Sequence, residues 1–162
     1  MFAINQPGRD ERGSTLLEFA IGATVFFITI FAIMEFGRGL WTHNALSDAA
    51  RRGARYAILQ PASNPPGATV NGTNVGPSVT AIRNVAVYGD PNGGTQPLIP
   101  NLAPENVQVQ YAGYGLGGGT VSVTITGYEL QLMIPIVGQK IQMPNYQTTL
   151  TGESAGLLPP TL

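Results

Sequence analysis

Few residues of this 162-residue chain could perform chemistry, and their types exclude most catalytic sites. The chain contains no cysteine, which rules out thiol nucleophiles, disulfide bridges and cysteine-ligated metals. Its single histidine, His43, has no second histidine with which to bind zinc. The acidic residues after position 58 occur singly, so their spacing does not indicate a carboxylate pair. We therefore expect no enzymatic activity, no cofactor and no metal site, and we expect His43 to be an interfacial or surface residue.

The acid in the most unusual setting is Glu18, which interrupts an apolar stretch from Leu16 to Met34. As a helix these 19 residues would span about 28 Å, close to the roughly 30 Å hydrocarbon core of a bilayer. The stretch is apolar on every side, and a chain this short can hardly wrap a core around it. We predict a membrane span over residues 16–34. A carboxylate within a span is costly, so Glu18 either has a functional partner or lies at the headgroup interface.

Charge is unevenly distributed along the chain. Eight basic and nine acidic residues give a net charge of −1, which does not favour a nucleic-acid-binding surface. Eleven of these 17 residues lie in the first 55 positions, and the remaining 107 positions hold six. This shift in composition places the main boundary of the chain near residue 58.

The string around Glu18, Arg12-Gly13-Ser14-Thr15-Leu16-Leu17-Glu18-Phe19, resembles the prepilin processing site of type IV pilin-like proteins. In that family a peptidase cuts after a glycine that ends a short polar leader. The resemblance implies a leader over residues 1–13, cleavage between Gly13 and Ser14, and Glu18 at the fifth mature position. It also implies that Glu18 pairs with the terminal ammonium of a neighbouring subunit. Phe19 resembles the variant used in tight-adherence (Tad) systems.

Two further motifs follow in order. Glu35-Phe36-Gly37-Arg38 comes after the span, and NALSDAARRGARYA occupies residues 44–57. With the processing site, they resemble the TadE-like family over about residues 13–58. The chain departs from the family pattern at Thr24, where a proline is frequent, and at Arg52, where a glutamate is usual. The first departure indicates a straighter helix, and the second weakens any expectation of a salt bridge at that position.

The resemblance implies a structural minor pilin or pseudopilin that acts in the assembly of a Tad (Flp, type IVc) pilus for adhesion, surface colonisation or secretion. The partners it implies are a prepilin peptidase, an inner-membrane assembly platform with its ATPase, the major Flp-type pilin and other minor pilins. Membrane lipid is a further expected partner, and nucleic acid is not. The expected location is the bacterial inner membrane in a single pass, with the N-terminus cytoplasmic, the C-terminal domain extracytoplasmic, and incorporation into the surface pilus. This orientation rests on the resemblance, since counting arginines on the two sides of the span leaves it open.

Two other functions remain open from the sequence. The chain could be an uncleaved, single-pass, signal-anchored periplasmic module that binds a ligand or protein, or it could be an anchored hydrolase. The mature N-terminus separates the first of these from a processed pilin.

The elements that position these motifs begin with a long helix predicted over residues 14–59. Its protruding half carries a stripe of mostly small residues at helical spacing. We expect the stripe to pack on the chain's own C-terminal domain, against other subunits, or both. Arg51, Arg52 and Arg55 lie mostly off the stripe and are expected to be solvated or to face headgroups. The stripe consists of Leu46, Ala49, Ala50, Gly53, Ala54 and Ala57.

Residues 60–78 are rich in Pro, Gly, Asn, Ser and Thr and predict a linker or loop, and residues 79–162 predict an extracytoplasmic α+β domain. Ser78 is expected to cap a short helix in which Val79, Ile82, Val85 and Ala86 share a face. Alternating patterns predict strands near residues 107–111 and 121–125, joined by a loop over 113–119, with residues 128–132 extending the second strand. A third strand is predicted over Ile141, Met143 and the run from Tyr146 to Thr151. The predicted fold class is α+β, in which a long N-terminal helix, membrane-spanning in its first half, carries a small antiparallel sheet, as in pilins.

Overall fold

The structure is a computed structural model of the 162-residue chain and describes residues 11–64, 66–115, 118–133 and 140–152. The first ten residues of the predicted leader and the tail after residue 152 lie outside the described residues. The chain divides into two compact units, residues 1–38 and residues 39–162. Each unit is considered by itself below.

A single helix, α1 (Glu11–Ala57), forms the described part of the first unit and continues into the second. Its ends lie within three residues of the predicted ones. The hydroxyl groups of Thr24 and Thr29 donate to the carbonyls of Ala20 and Val25, at 2.7 Å and 2.8 Å. Both hydroxyls are therefore satisfied by their own helix, which lets threonine occur in an apolar segment without an outside partner.

Besides α1, the described part of the second unit contains one helix, a short 3₁₀ turn and six strands. In chain order they are β1 (Val70–Thr73), α2 (Val79–Tyr88), the 3₁₀ turn (Pro104–Asn106), β2 (Val107–Gly115), β3 (Gly118–Ile125), β4 (Glu129–Gln131), β5 (Lys140–Gln142) and β6 (Tyr146–Thr151). Four strands form an antiparallel sheet in the order β1-β2-β3-β6, and β4 pairs with β5 in a separate two-stranded antiparallel ribbon. This architecture confirms the predicted α+β class.

The central strands β2 and β3 bury one face of the sheet. Val109 pairs with Val123, and the flanking pairs keep the apolar residues of both strands on the same side. This is the alternation that the sequence predicts, because successive side chains of a strand point to opposite faces. The buried residues of this face are Val107, Val109, Tyr111, Val121, Val123 and Ile125, all at most 2% exposed.

The second half of α1 completes this core with its stripe of small residues. Gly53 shows why they are small: a Cβ placed there would lie 3.1 Å from Val123 Cγ1 and 3.2 Å from Ala86 Cβ. The helix therefore meets both the sheet and α2 at a distance that leaves no room for a larger side chain. The predicted apolar face of α2 is also buried, together with Val87.

The structure differs from the sequence-based expectations in the predicted linker. Residues 70–73 form the edge strand β1, which the high content of glycine and asparagine concealed. Asn74 holds it against the sheet, since its backbone N–H donates to Val109 O at 2.6 Å and its side-chain oxygen accepts from Val109 N at 2.9 Å. The strand thus exists because β2 supplies its partner, which is a long-range effect.

Two further differences follow from glycine conformations. The predicted loop over 113–119 is wrong, because β2 and β3 continue into it as far as the pair Gly115 and Gly118, helped by positive φ angles at Gly113 and Gly119. Residues 128–132 do not extend β3 either. The chain turns at Gly127, where φ is 66°, and residues 129–131 form β4 of the separate ribbon.

Ser78 does not cap α2 as expected. Its hydroxyl donates to Pro61 O at 2.7 Å, and it makes no side-chain hydrogen bond to the helix. This hydrogen bond instead links the start of α2 to the segment that follows α1.

Candidate membrane-anchoring and assembly segment

The first half of α1 has large apolar side chains on all sides and almost nothing covering them. Among the described residues, this is the one helix that is long and apolar enough to cross a membrane, judged by length and composition. Apolar patches much larger than a few hundred Å² are rare on monomeric soluble proteins. The exposed residues are Leu16, Leu17, Phe19, Ile21, Val25, Phe26, Phe27, Ile28, Ile30, Phe31, Ile33, Met34 and Phe36, each at least 36% exposed.

The predicted processing and assembly residues lie together at the start of this apolar segment. Gly13, Ser14, Glu18 and Phe19 are all exposed on α1. The Ser14 hydroxyl donates to Glu18 Oε1 at 3.4 Å, across one helical turn. The spacing of four residues places the two side chains on the same helix face, so the backbone nitrogen of Ser14 is also only one turn from the carboxylate. Among the described residues, no atom outside the local helix lies within 4 Å of a Cβ built on Gly13.

A second charged pair follows the apolar segment. Arg38 donates to the carboxylate of Glu35 across three residues of α1. The side chain of Glu35 is only 14% exposed and that of Arg38 34% exposed. Pairing offsets part of the cost of removing both charges from water. The sequence showed the Glu-x-Gly-Arg motif, and the helix spacing of its two charged residues is the signal that could have predicted the pair.

The six residues of the stripe do not lie on an open surface. All of them are buried in the core of the second unit, within the same chain. The sheet and α2 therefore cover this face of α1. Surfaces available to other subunits lie elsewhere on the helix.

Arg52 is not solvated as expected. Its Nε donates to Val85 O at 3.0 Å and its guanidinium NH2 donates to Ala86 O at 2.8 Å, near the C-terminal end of α2. A cation at this end of a helix is favourable because the last carbonyls carry a partial negative charge. Burial lowers the pKa of Arg52, and the charge of Asp48 partly opposes this effect. Sequence reasoning missed this contact because it joins residues 33 and 34 positions apart.

The other two arginines of this segment are exposed to solvent as expected, although one of them also forms an ion pair. Arg51 is exposed and pairs with Asp48 at 3.0 Å, and Arg55 is exposed in the last turn of α1. His43 is also exposed, as expected, and its Nδ1 lies 2.8 Å from the hydroxyl of Tyr146 on β6. These three polar side chains lie on the exposed part of the second half of α1.

Two tyrosines of β2, Tyr111 and Tyr114, belong to the core of the second unit. Tyr114 donates to Ile58 O at 2.9 Å and lines an open groove of about 280 Å³ together with the segment after α1. Tyr111 is buried, and its hydroxyl has no hydrogen-bond partner among the described residues. Burial, with a smaller contribution from Tyr114, raises the pKa of Tyr111 to about 12. Within the described ranges, acidic and histidine side chains do not form groups of three that could hold a metal ion.

Comparison with known proteins finds one family similarity, in the N-terminal segment. No curated protein and no solved structure matches the chain. Residues 13–55, 43 of the 162, match the model of the TadE-like protein family. The matched residues begin at Gly13 and include Glu18, the Glu35–Arg38 pair and all of the stripe except Ala57. These 43 residues, which hold the apolar half of α1 and the charged groups at both of its ends, are similar to the TadE-like family.

Proposed function

We propose that this protein is a minor pilin or pseudopilin of a Tad pilus. It is anchored in the bacterial inner membrane by residues 16–34, with the second unit outside the cytoplasm. The observation that carries this proposal is the uncovered apolar half of α1, which lies wholly within the TadE-like match. A helix that presents phenylalanine, isoleucine and leucine on all sides needs lipid or other helices around it.

The start of the match supports proteolytic processing as the step that activates the subunit. Cleavage after Gly13 would leave Ser14 as the N-terminus and create an ammonium group one helical turn from Glu18. In apolar surroundings an unpaired Glu18 is unfavourable, and a carboxylate paired with an ammonium is tolerated. At about 4 Å and an effective dielectric constant near 20, such a pair is worth roughly 4 kcal/mol before desolvation.

In a pilus the partner of Glu18 would be the ammonium of a neighbouring subunit. This pairing selects one axial register between subunits, since other registers leave both charges unpaired in an apolar environment. The buried stripe supports the same assignment of surfaces: it is occupied by the second unit, so the first half of α1 is the surface left for subunit contacts.

The proposed partners follow from this role. A prepilin peptidase would recognise the string around Gly13, and an inner-membrane platform with its ATPase would extract the subunit. The apolar half of α1 would then pack against the major Flp-type pilin and other minor pilins. Adhesion, surface colonisation or secretion would be the purpose of the assembled fibre.

Intact-mass analysis of membrane-extracted protein tests the processing step. We expect the chain expressed with its cognate prepilin peptidase to begin at Ser14, and the chain expressed alone to keep residues 1–13. Gly13→Leu should block cleavage, and Gly22→Leu, on the same helix, should leave it intact. A full-length mass in the presence of an active cognate peptidase would contradict the proposal and favour an uncleaved signal-anchored periplasmic module.

Removing the charge of Glu18 tests the assembly step. We expect Glu18→Ala and Glu18→Gln to be cleaved normally but to be depleted from purified pili, because both lose the partner of the ammonium. Glu35→Gln is the control for a generic loss of a helix carboxylate. The measurement is the ratio of subunit in sheared pili to subunit in the membrane, and wild-type incorporation of both Glu18 variants would contradict the ammonium–carboxylate pairing.

A further inference from the structure

The four-stranded sheet of the second unit has two edge strands, which differ in regularity. β1 is four residues long, contains Gly72 at a φ of 132°, and its register with β2 shifts between Val70 and Gly72. β6 is six residues long and pairs with β3 without interruption from Tyr146 to Thr151. Short, irregular edges resist the addition of a further strand, and long, regular edges allow it. Of the two, β6 is therefore the edge that can accept another strand.

The sequence of β6 also lacks the residues that usually protect an edge strand. Its six residues include no charged side chain and no proline. In the described part of the chain, no strand pairs with the side of β6 that faces away from β3. Alternate residues of an edge strand direct their backbone N–H and C=O groups to that side, so β6 presents a row of groups that a further strand could bond.

The face of β6 that continues the core is incompletely covered. Leu150 pairs with Val121, and Thr148 pairs with Val123. Both residues of β6 are only half-buried, whereas both residues of β3 are fully buried. Side chains in a sheet are covered partly by their neighbours on the two adjacent strands, and in the described chain β6 has such neighbours on one side. A strand added beside β6 would bury Thr148 and Leu150 further.

A polar cleft of about 210 Å³ lies between the second half of α1 and the start of β6. Its walls are Ser47, Ala50 and Arg51 on α1 and residues 145–148. Among these described residues, Arg51 is the charged one. The ion pair of Arg51 with Asp48 is more than half exposed on both sides, and exposed pairs of this kind are weak. The cleft therefore contains a positive charge that can attract a further carboxylate.

We propose that β6 binds an extended segment of another pilus subunit, which adds to the sheet as a fifth strand and places an acidic side chain in the cleft beside Arg51. An extended peptide is the partner that supplies backbone donors and acceptors at the spacing of a strand. A second copy of this chain is disfavoured, because neither β6 nor β1 contains an acidic residue for the cleft. The inference rests on the proposed function for the source of the segment.

Hydrogen exchange of purified pili tests the added strand. The subunit in sheared pili is compared with the same full chain extracted into micelles, and exchange is read by mass spectrometry of the fragments that contain β6 and β1. We expect the β6 fragment to exchange about tenfold or more slowly in pili than in micelles, because its outward amides become hydrogen-bonded. The β1 fragment is the matched control and should exchange at similar rates in both states.

Carbodiimide coupling, which joins a lysine to a carboxylate in contact with it, tests the acidic side chain. In pili that contain Arg51→Lys, we expect a covalent link between position 51 and an acidic residue of another subunit. Arg55→Lys is the control, because Arg55 is exposed on the same helix and does not line the cleft. We expect its links to other subunits to be several-fold fewer. Protection of β6 without a link at Arg51→Lys would overturn the acidic contact.

The other outcomes separate this inference from the proposed function. If the subunit is present in pili and its β6 fragment exchanges as fast as in micelles, the added strand is overturned and the pilin assignment stands. If the subunit is absent from pili, both are overturned. Protection of β6 already present in micelles would also overturn the inference. Its loss on removing residues 153–162 would assign the edge to the chain's own tail, and its dependence on protein concentration would assign the edge to a second copy.

Discussion

The two halves of α1 belong to one continuous helix and differ in the size and burial of their apolar residues. Residues 16–36 are mainly phenylalanine, isoleucine, leucine and valine, and these large side chains are exposed. Residues 46–57 use alanine and glycine at the helical spacing that faces the sheet, and these are buried. The difference shows that the surroundings of a helix decide which apolar residues it uses.

The physical reason is the rigidity of the surroundings. A folded sheet has a fixed shape, so the helix that packs on it must fit at close range, and each added methylene meets an atom that cannot move far. Lipid chains adapt to any side chain, so large residues simply add apolar contact. Gly53 and Gly22 illustrate this: one has neighbours at 3.1 Å and 3.2 Å from a built Cβ, and the other has none within 4 Å.

The largest effect is expected from the same substitution made in each half. Leu46→Ala should lower the free energy of unfolding of the second unit by about 2–5 kcal/mol, because Leu46 is fully buried and its removal leaves a cavity. Leu17→Ala should change this value by less than about 0.5 kcal/mol, because Leu17 is exposed on the first half. The measurement is denaturant unfolding of the full chain in micelles, followed by Trp41 fluorescence. Equal effects of the two variants would break the comparison.

A second pair of variants adds one methyl group to each half. Gly53→Ala should cost about 1–3 kcal/mol, because the new Cβ presses on Val123 and Ala86. Gly22→Ala should be neutral or should stabilise the helix by up to about 1 kcal/mol, since alanine is the better helix former and the site is open. Hydrogen exchange of the backbone amides in each half reports both effects. A stabilising Gly53→Ala would show that the second half is not tightly docked.

The polar side of the second half gives a smaller contrast between two arginines. Arg52→Met should destabilise the second unit by about 1–2 kcal/mol, because it removes two charge-assisted hydrogen bonds to carbonyls of α2. Arg55→Met should change stability by less than about 0.5 kcal/mol, since Arg55 is exposed. Thermal unfolding of both variants under the same conditions measures the difference. If Arg55→Met proved the more damaging change, the docking role of Arg52 would be wrong.

The smallest effect at neutral pH is expected for Tyr111, which lies on the sheet face that packs against the second half of α1. The pKa of Tyr111 is raised to about 12, above the ordinary value of 10.0, so the folded state holds the neutral phenol more firmly than the unfolded chain does. This contribution to stability is complete below pH 10 and is lost as pH rises toward 12, by up to about 1.4 kcal/mol per pH unit. Tyr111→Phe should be close to neutral at pH 7, because the hydroxyl has no hydrogen-bond partner in the described part of the chain, and should flatten the loss of stability between pH 10 and 12.

Tyr56→Phe serves as the control for the alkaline titration. It leaves Tyr111 in place, so the loss of stability above pH 10 should persist. Denaturant unfolding at several pH values between 8 and 12 provides the comparison. An unchanged alkaline loss in Tyr111→Phe would mean that another group causes it.

Much of the fold could be predicted because it depends on local periodicity. The apolar run predicts the first half of α1, the helical spacing of small residues predicts its packed face, and period-two alternation predicts β2 and β3. The failures have a common cause. Strand β1, the separate β4–β5 ribbon and the contact of Arg52 with α2 each depend on a partner far away in the chain. The direction of the Ser78 hydroxyl, toward Pro61 rather than α2, is a failure of the same kind.

By itself, the sequence determined where the chain changes its surroundings, because hydrophobicity and helical spacing are properties of neighbouring residues. It also placed Gly13, Ser14 and Glu18 within one helical turn or so of each other, since a helix fixes those distances. Only the tertiary structure decided which surfaces are already occupied. The stripe of small residues is buried within the second unit, whereas the large apolar side chains of the first half of α1 stay exposed. Close packing depends on which distant residues meet, and that information appears only when the chain is folded.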